Sequence, residues 1–136
     1  MVIIILLSLM FIASVYANRM RDEGYDHPIL SEVRTRFSKL DPSYAEIPLK
    51  QGHESYTDNK AAITLCLRNP DTRKYYKIND IMYVALHELS HIVTPTYDDH
   101  GPMFKKNFNE LLKKADKVGV YNISEPAPTS YCGVGP

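Results

Sequence analysis

The chain has 136 residues, enough for one domain and too few for two well-packed ones. Its 44% apolar and 24% charged residues are the balance of an ordinary globular protein. Sixteen basic residues cancel sixteen acidic ones, which argues against a nucleic-acid-binding surface, and two cysteines are too few for a disulfide scaffold.

Residues 2–17, VIIILLSLMFIASVYA, carry no charge. As a helix they rise about 24 Å, a little short of the roughly 30 Å hydrocarbon core of a bilayer. Val15-Tyr16-Ala17 resembles a small-residue cleavage site, but Arg19 and Arg21 follow at once and favour keeping the C-terminal side in the cytoplasm. The expectation is an uncleaved membrane anchor at 1–17 with the domain on the cytoplasmic side. The alternative is a cleaved signal. In that case the domain is exported, and the Asn122-Ile123-Ser124 sequon and a Cys66–Cys132 bridge become relevant. The sequence does not choose between that bridge and two free thiols.

Residues 18–27 are polar and read as a linker. Pro28 opens a helix carrying Ile29, Leu30, Val33, Phe37 and Leu40 at helical spacing, and Asp41-Pro42 stops it. Residues 45–50, 54–58 and 61–68 read as short strands, divided by turn material at Gln51-Gly52 and Asp58-Asn59. The third alternates Ile63, Leu65 and Leu67 with Thr64, Cys66 and Arg68. Residues 74–78 are a candidate returning strand. A long helix is expected from Asn79 or Asp80, either of which can cap it, to just before Pro95. A last helix opens at Pro102, with Phe104, Phe108, Leu111, Leu112 and Ala115 on its apolar face. Lys105, Lys106, Lys113, Lys114 and Lys117 read as its solvated face. A domain over 28–122 is followed by a Pro- and Gly-rich tail, 123–136, expected to lie extended over the surface. The class is α+β.

The chemistry concentrates in the long helix. His87-Glu88-Leu89-Ser90-His91 matches H-E-x-x-H. Residues four apart share a helix face, so both imidazoles can bind one Zn²⁺. Glu88, rotated by about 100°, is placed to act as a general base on water rather than as a ligand. A catalytic zinc takes three protein ligands, and His100 is the candidate third; Pro95 ends the helix and the loop TPTYDD turns the chain back. Gly101 permits a tight backbone after it. Asp98 or Asp99 can orient a ligand imidazole, act as a rival ligand, or cap the last helix. Burying two histidines and a glutamate without a partner is costly, which favours a metal over an incidental pattern. His27 and His53 sit alone in polar stretches and read as surface residues.

"HELSH" followed by "HGPMF" resembles the SprT-like and WLM (Spartan-like) zinc metallopeptidase groups. The likeness covers about residues 60–118, and the chain also looks like small proteins of large DNA viruses with a hydrophobic N-terminus. The resemblance implies a zincin-like domain: an N-terminal helix, a short antiparallel sheet, the H-E-x-x-H helix and a C-terminal helix. It also implies His87, His91 and His100 as zinc ligands and Glu88 as catalytic base. The expected activity is hydrolysis of peptide bonds in a protein or peptide substrate, with the membrane engaged through residues 2–17. Tyr97, Tyr121 and Tyr131 are candidate oxyanion donors, and residues 62–68 a candidate edge strand for substrate. The competing reading is a non-catalytic, membrane-anchored structural protein with a zinc core, partnered by capsid or membrane proteins in a virion. A Cys132 thiolate on the zinc would close the open position and favour that reading. Nucleic acid is not expected as a partner.

Overall fold

The computed structural model describes residues 1–22, 25, 27–95 and 97–133, with the side chains of 18–22 excepted. The first element, α1 (Val2–Asp22), exposes all its described side chains, 2–17. Among the described residues no helix is long and apolar enough to cross a membrane. The helical backbone of α1 continues into the stretch expected as linker; residues 23, 24 and 26 of that stretch lie outside the described residues.

Helix α2 (Pro28–Leu40) forms where expected and buries Leu30, Val33, Phe37 and Leu40. Its N-cap is His27, whose Nδ1 accepts from the Ile29 amide at 3.1 Å. A 3₁₀ turn (Pro42–Glu46), capped by the Asp41 carboxylate, leads into the sheet.

Three short strands follow: β1 (Leu49–Gln51), β2 (Tyr56–Asp58) and β3 (Ala62–Leu65), in the order β1-β3-β2. The sheet is mixed rather than antiparallel. β2 and β3 form a hairpin, but β3 slots between β2 and β1 and pairs parallel with β1, Leu49 opposite Ile63. The physical reason is the crossing at residues 52–55, which carries the chain past the place β3 later fills. A Cβ on Gly52 would stand 2.5 Å from Thr64 Cγ2, so this passage needs glycine. Central position also explains why Thr64 is buried along with Ile63 and Leu65. The 74–78 stretch contributes only an isolated bridge, Tyr75 to Arg68.

Helix α3 (Ile78–Val93) is the centre of the domain, with Ile81, Met82, Ala85, Leu86 and Leu89 almost fully buried. It starts one residue before the expected caps, with Lys77 as N-cap and no side-chain cap bond. Asn79 is used instead to hold the tail, exchanging two hydrogen bonds with the Asn122 backbone at 2.8 and 3.1 Å. Helix α4 (Pro102–Lys117) packs beside α3 through Phe104, Leu111, Leu112 and Ala115.

The tail does not simply lie on the surface. Tyr131 is 3% exposed, stacks on Tyr76 with centroids 4.1 Å apart, and donates to the Cys66 carbonyl at 2.6 Å. Cys132 is disulfide-bonded to Cys66, with Cα atoms 6.4 Å apart. Of the two states the sequence left open, the bridge is the one formed, and it rules out a Cys132 thiolate on a metal. Closing so long a loop constrains the unfolded chain. Reduction, or a Cys66→Ser/Cys132→Ser double variant, is expected to cost about 2–4 kcal/mol in denaturant titrations run with and without reductant.

Candidate metal centre

One turn of α3 brings the His87 and His91 rings to 5.2 Å between centroids. The helix ends at Thr94 and Pro95, and nine residues after His91 the chain returns His100 to the same point. His100 carries the return itself: its φ of +56° is left-handed, a conformation uncommon for a side chain of this size. Gly101, expected to supply backbone freedom there, has an ordinary φ of −81° and acts sterically. The Asp98 carboxylate crosses the space a Cβ on Gly101 would need. From there it accepts from the Met103 and Phe104 amides at 2.5 and 3.1 Å, capping α4 at the positive end of its dipole. Of the roles open to Asp98, capping is the one it takes.

The ligand atoms of His87, His91 and His100 all lie within 4.8 Å of one another. His100 Nε2 is 3.2 Å from His87 Nε2. Two nitrogens sharing one tetrahedral zinc at 2.0–2.1 Å stand about 3.3 Å apart, so the His87–His100 pair has the spacing of two ligands on that ion, with His91 close beside them. Asp99 lies behind the ligands, Oδ1 3.4 Å from His100 Nδ1 and 3.9 Å from His91 Nδ1. A carboxylate there can orient the His100 ring through Nδ1, leaving Nε2 toward His87; its 3.9 Å separation from His91 is too long for a hydrogen bond. Phe104 backs all three rings, with centroids 5.1, 4.5 and 4.8 Å from His87, His91 and His100. Burial, then the facing His91 and His100 rings, push His87 down to about 4; burial, then His100 and the Lys60 ammonium, lower His91. Both therefore remain neutral imidazoles near pH 7, the form that binds metal.

Glu88 is 7% exposed, and its burial raises its pKa. Thr57 on β2 opposes that shift. Its hydroxyl donates to Glu88 Oε2 at 2.7 Å and also lies 2.9 Å from the Glu88 carbonyl. The carboxylate is thus aimed by the sheet, not only by its own helix.

These groups open onto a cleft of about 950 Å³ whose lining includes Tyr56, Thr57, Lys60 and Tyr131 beside the histidines. The structure brings His87, Glu88, His91 and His100 together as expected. The candidate oxyanion donors differ in placement: Tyr97 is 83% exposed, Tyr121 is buried near Tyr83, and Tyr131 lines the cleft with its hydroxyl committed to the Cys66 carbonyl. Residues 62–65 are central in the sheet, so they are not an edge for substrate; the edge strand lining the cleft is β2. Sequence reasoning missed Thr57 and Lys60, each 31 positions from the α3 residue it touches.

A family model described as WLM domain matches residues 55–129, more than half of the chain. The chain belongs to the WLM family. WLM domains are zinc-metallopeptidase-like, and the matched span includes the hairpin, both site helices and the start of the tail. Three uncharacterized viral proteins are similar to this WLM chain. One from Invertebrate iridescent virus 6 is 36% identical over 90 residues, 65% of this chain and 50% of the relative. One from Acanthamoeba polyphaga mimivirus is 35% identical over 109 residues, 79% and 54% respectively. One from Invertebrate iridescent virus 3 is 33% identical over 91 residues, 67% and 57%. The chain spans about half the length of these curated relatives. No solved structure matches it significantly.

The WLM domain is expected to bind about one zinc per chain, with His100→Ala cutting occupancy sharply after dialysis against a weak chelator, as read by elemental analysis.

Proposed function

We propose that this WLM domain is a zinc-dependent endopeptidase held at a membrane by residues 2–17. The observation that carries the reading is Glu88. A purely structural zinc site needs no buried carboxylate beside its ligands. Here one stands next to three converging imidazoles, is fixed by Thr57, and opens on a cleft.

A zinc ion bound by His87, His91 and His100 would supply Lewis acidity toward water and a peptide carbonyl. Glu88 takes the proton of the attacking water and returns it to the leaving amine. Its raised pKa suits both roles, because a carboxylate protonated more readily than usual is a better base and can hold the proton between the steps. Thr57 keeps Oε2 aimed during the exchange. Phe104 covers the ligands from behind and keeps water to the cleft side. The free edge of β2 offers backbone groups to an extended peptide, so that recognition rests largely on main-chain pairing and selects sequence weakly.

The exposed apolar side chains of α1 support membrane attachment. The Cys66–Cys132 disulfide favours an oxidising environment for the domain, which is the exported side rather than the cytoplasmic side suggested by Arg19 and Arg21. Viral relatives support a viral setting.

Glu88→Gln is expected to keep zinc and fold while lowering peptide hydrolysis by at least about 100-fold, measured on casein or a quenched peptide mixture. Hydrolysis at parental rate in that variant would sink the assignment of the base. Thr57→Val is expected to lower kcat by about tenfold with KM little changed, because the base loses its aim and the substrate edge keeps its backbone.

A further inference from the structure

We propose that Lys60, on the turn between β2 and β3, is a positioning residue for the metal centre, fixing the end of α3 from which the second and third ligands are hung. The inference rests on the zinc-site reading above. Two independent observations carry it.

The first is where the ammonium goes. Lys60 Nζ donates to the His91 carbonyl at 2.6 Å and to the Thr94 carbonyl. Carbonyls in the last turn of a helix lack intrahelical partners and carry the negative end of the dipole, so a cation there is doubly favoured. The two carbonyls bracket the point at which α3 stops. His91 is the second ligand, and Thr94 begins the return to His100. Thr94 is itself 3% exposed and accepts from Asn107 of α4 at 3.0 Å, so the same junction joins the hairpin, α3 and α4.

The second is the backbone beneath that side chain. The turn runs from Asp58 to Ala61, closed by the Ala61 amide to the Asp58 carbonyl at 2.9 Å. Asn59 and Lys60 both adopt left-handed backbone, φ +49° and +55°. Asparagine tolerates this and glycine would be the favoured second residue; lysine is disfavoured. A strained position occupied by a long cationic side chain, whose tip lands on ligand-bearing backbone, points to the side chain as the reason for the strain.

Glycine at position 60 would relax the turn while removing the clamp. That separates positioning from mere support of the hairpin. The test uses the full chain in detergent, with zinc affinity measured by competition against a chromogenic chelator and the metal-free fold followed by far-UV circular dichroism. Lys60→Gly and Lys60→Met are expected to keep the metal-free helix content yet weaken zinc binding by about tenfold or more, the range seen when groups behind metal ligands are removed. Lys60→Arg, which retains donors at the tip, is expected to recover most of the affinity. Parental affinity in Lys60→Gly would overturn the proposal, as would loss of the metal-free fold in that variant, which would make the role structural. Zinc binding by the parent alone reports on the metal-site reading; a parent that takes up no zinc overturns both. The ratio of variant to parent reports on Lys60.

Discussion

The geometry of the site depends on one constraint: α3 has to stop immediately after its second histidine so that the chain can bring a third back to the same point. A helix that continued through residues 94–97 would carry the next ligand away from the first two. Pro95 prevents continuation, but stopping is the smaller part of the problem. The return places His100 in left-handed backbone, at a cost of order 1–3 kcal/mol. Asp98 offsets it with two charge-assisted bonds to the start of α4, together of similar magnitude. Because His100 remains largely exposed, the loop is held by these local bonds and not by burial.

Around that reversal the other elements act as supports. Helix α3 is buried along most of its length, which fixes the direction of His87 and Glu88 and keeps His87 neutral. Phe104, at the first turn of α4, fills the space behind the three rings, so the cap that ends the loop also delivers the backing for the ligands. The hairpin grips α3 at two points about one turn apart, Thr57 at Glu88 and Lys60 at His91 and Thr94. A three-stranded sheet this short contributes little core. Its value lies in reaching Glu88 and the end of α3 with two separate side chains.

Much of this was legible in the sequence where the information is local. Helical spacing identified the buried face of α2 and that of α4, and H-E-x-x-H with His100 picked out three histidines that the fold brings together. Pairing was not legible. Alternation in residues 61–68 signals a strand, but nothing in a four-residue strand says whether its neighbours run parallel, so the mixed order β1-β3-β2 came only from the fold. The start of α3 was misplaced for a related reason. Asn79 and Asp80 are good caps in isolation, but Asn79 bonds Asn122, forty-three positions away. Thr57 and Lys60 lacked any pattern that spacing could detect, since their roles arise from contacts between distant segments; Asp98 and Asp99 were both open to several roles, and the exact turn of the loop decides between them. Proline and glycine suggested a tail extended over the surface, and residues 122–130 are mostly exposed, but composition did not show that a buried tyrosine and a cysteine anchor its end.

The disulfide has a topological consequence for a domain of this kind. Cys66 and Cys132 enclose all of α3 and α4, including every proposed ligand, in one covalent ring. One exposed segment of that ring is the loop around Tyr97 to His100, which lies beside the cleft where peptide bonds would be cut. A single cut there leaves the two halves joined through sulfur, with His87 and His91 on one side of the break and His100 on the other. The ring therefore turns a scission that would separate the ligand set into an internal nick, and a molecule damaged by its neighbours keeps all three imidazoles on one covalent unit until the bridge is reduced.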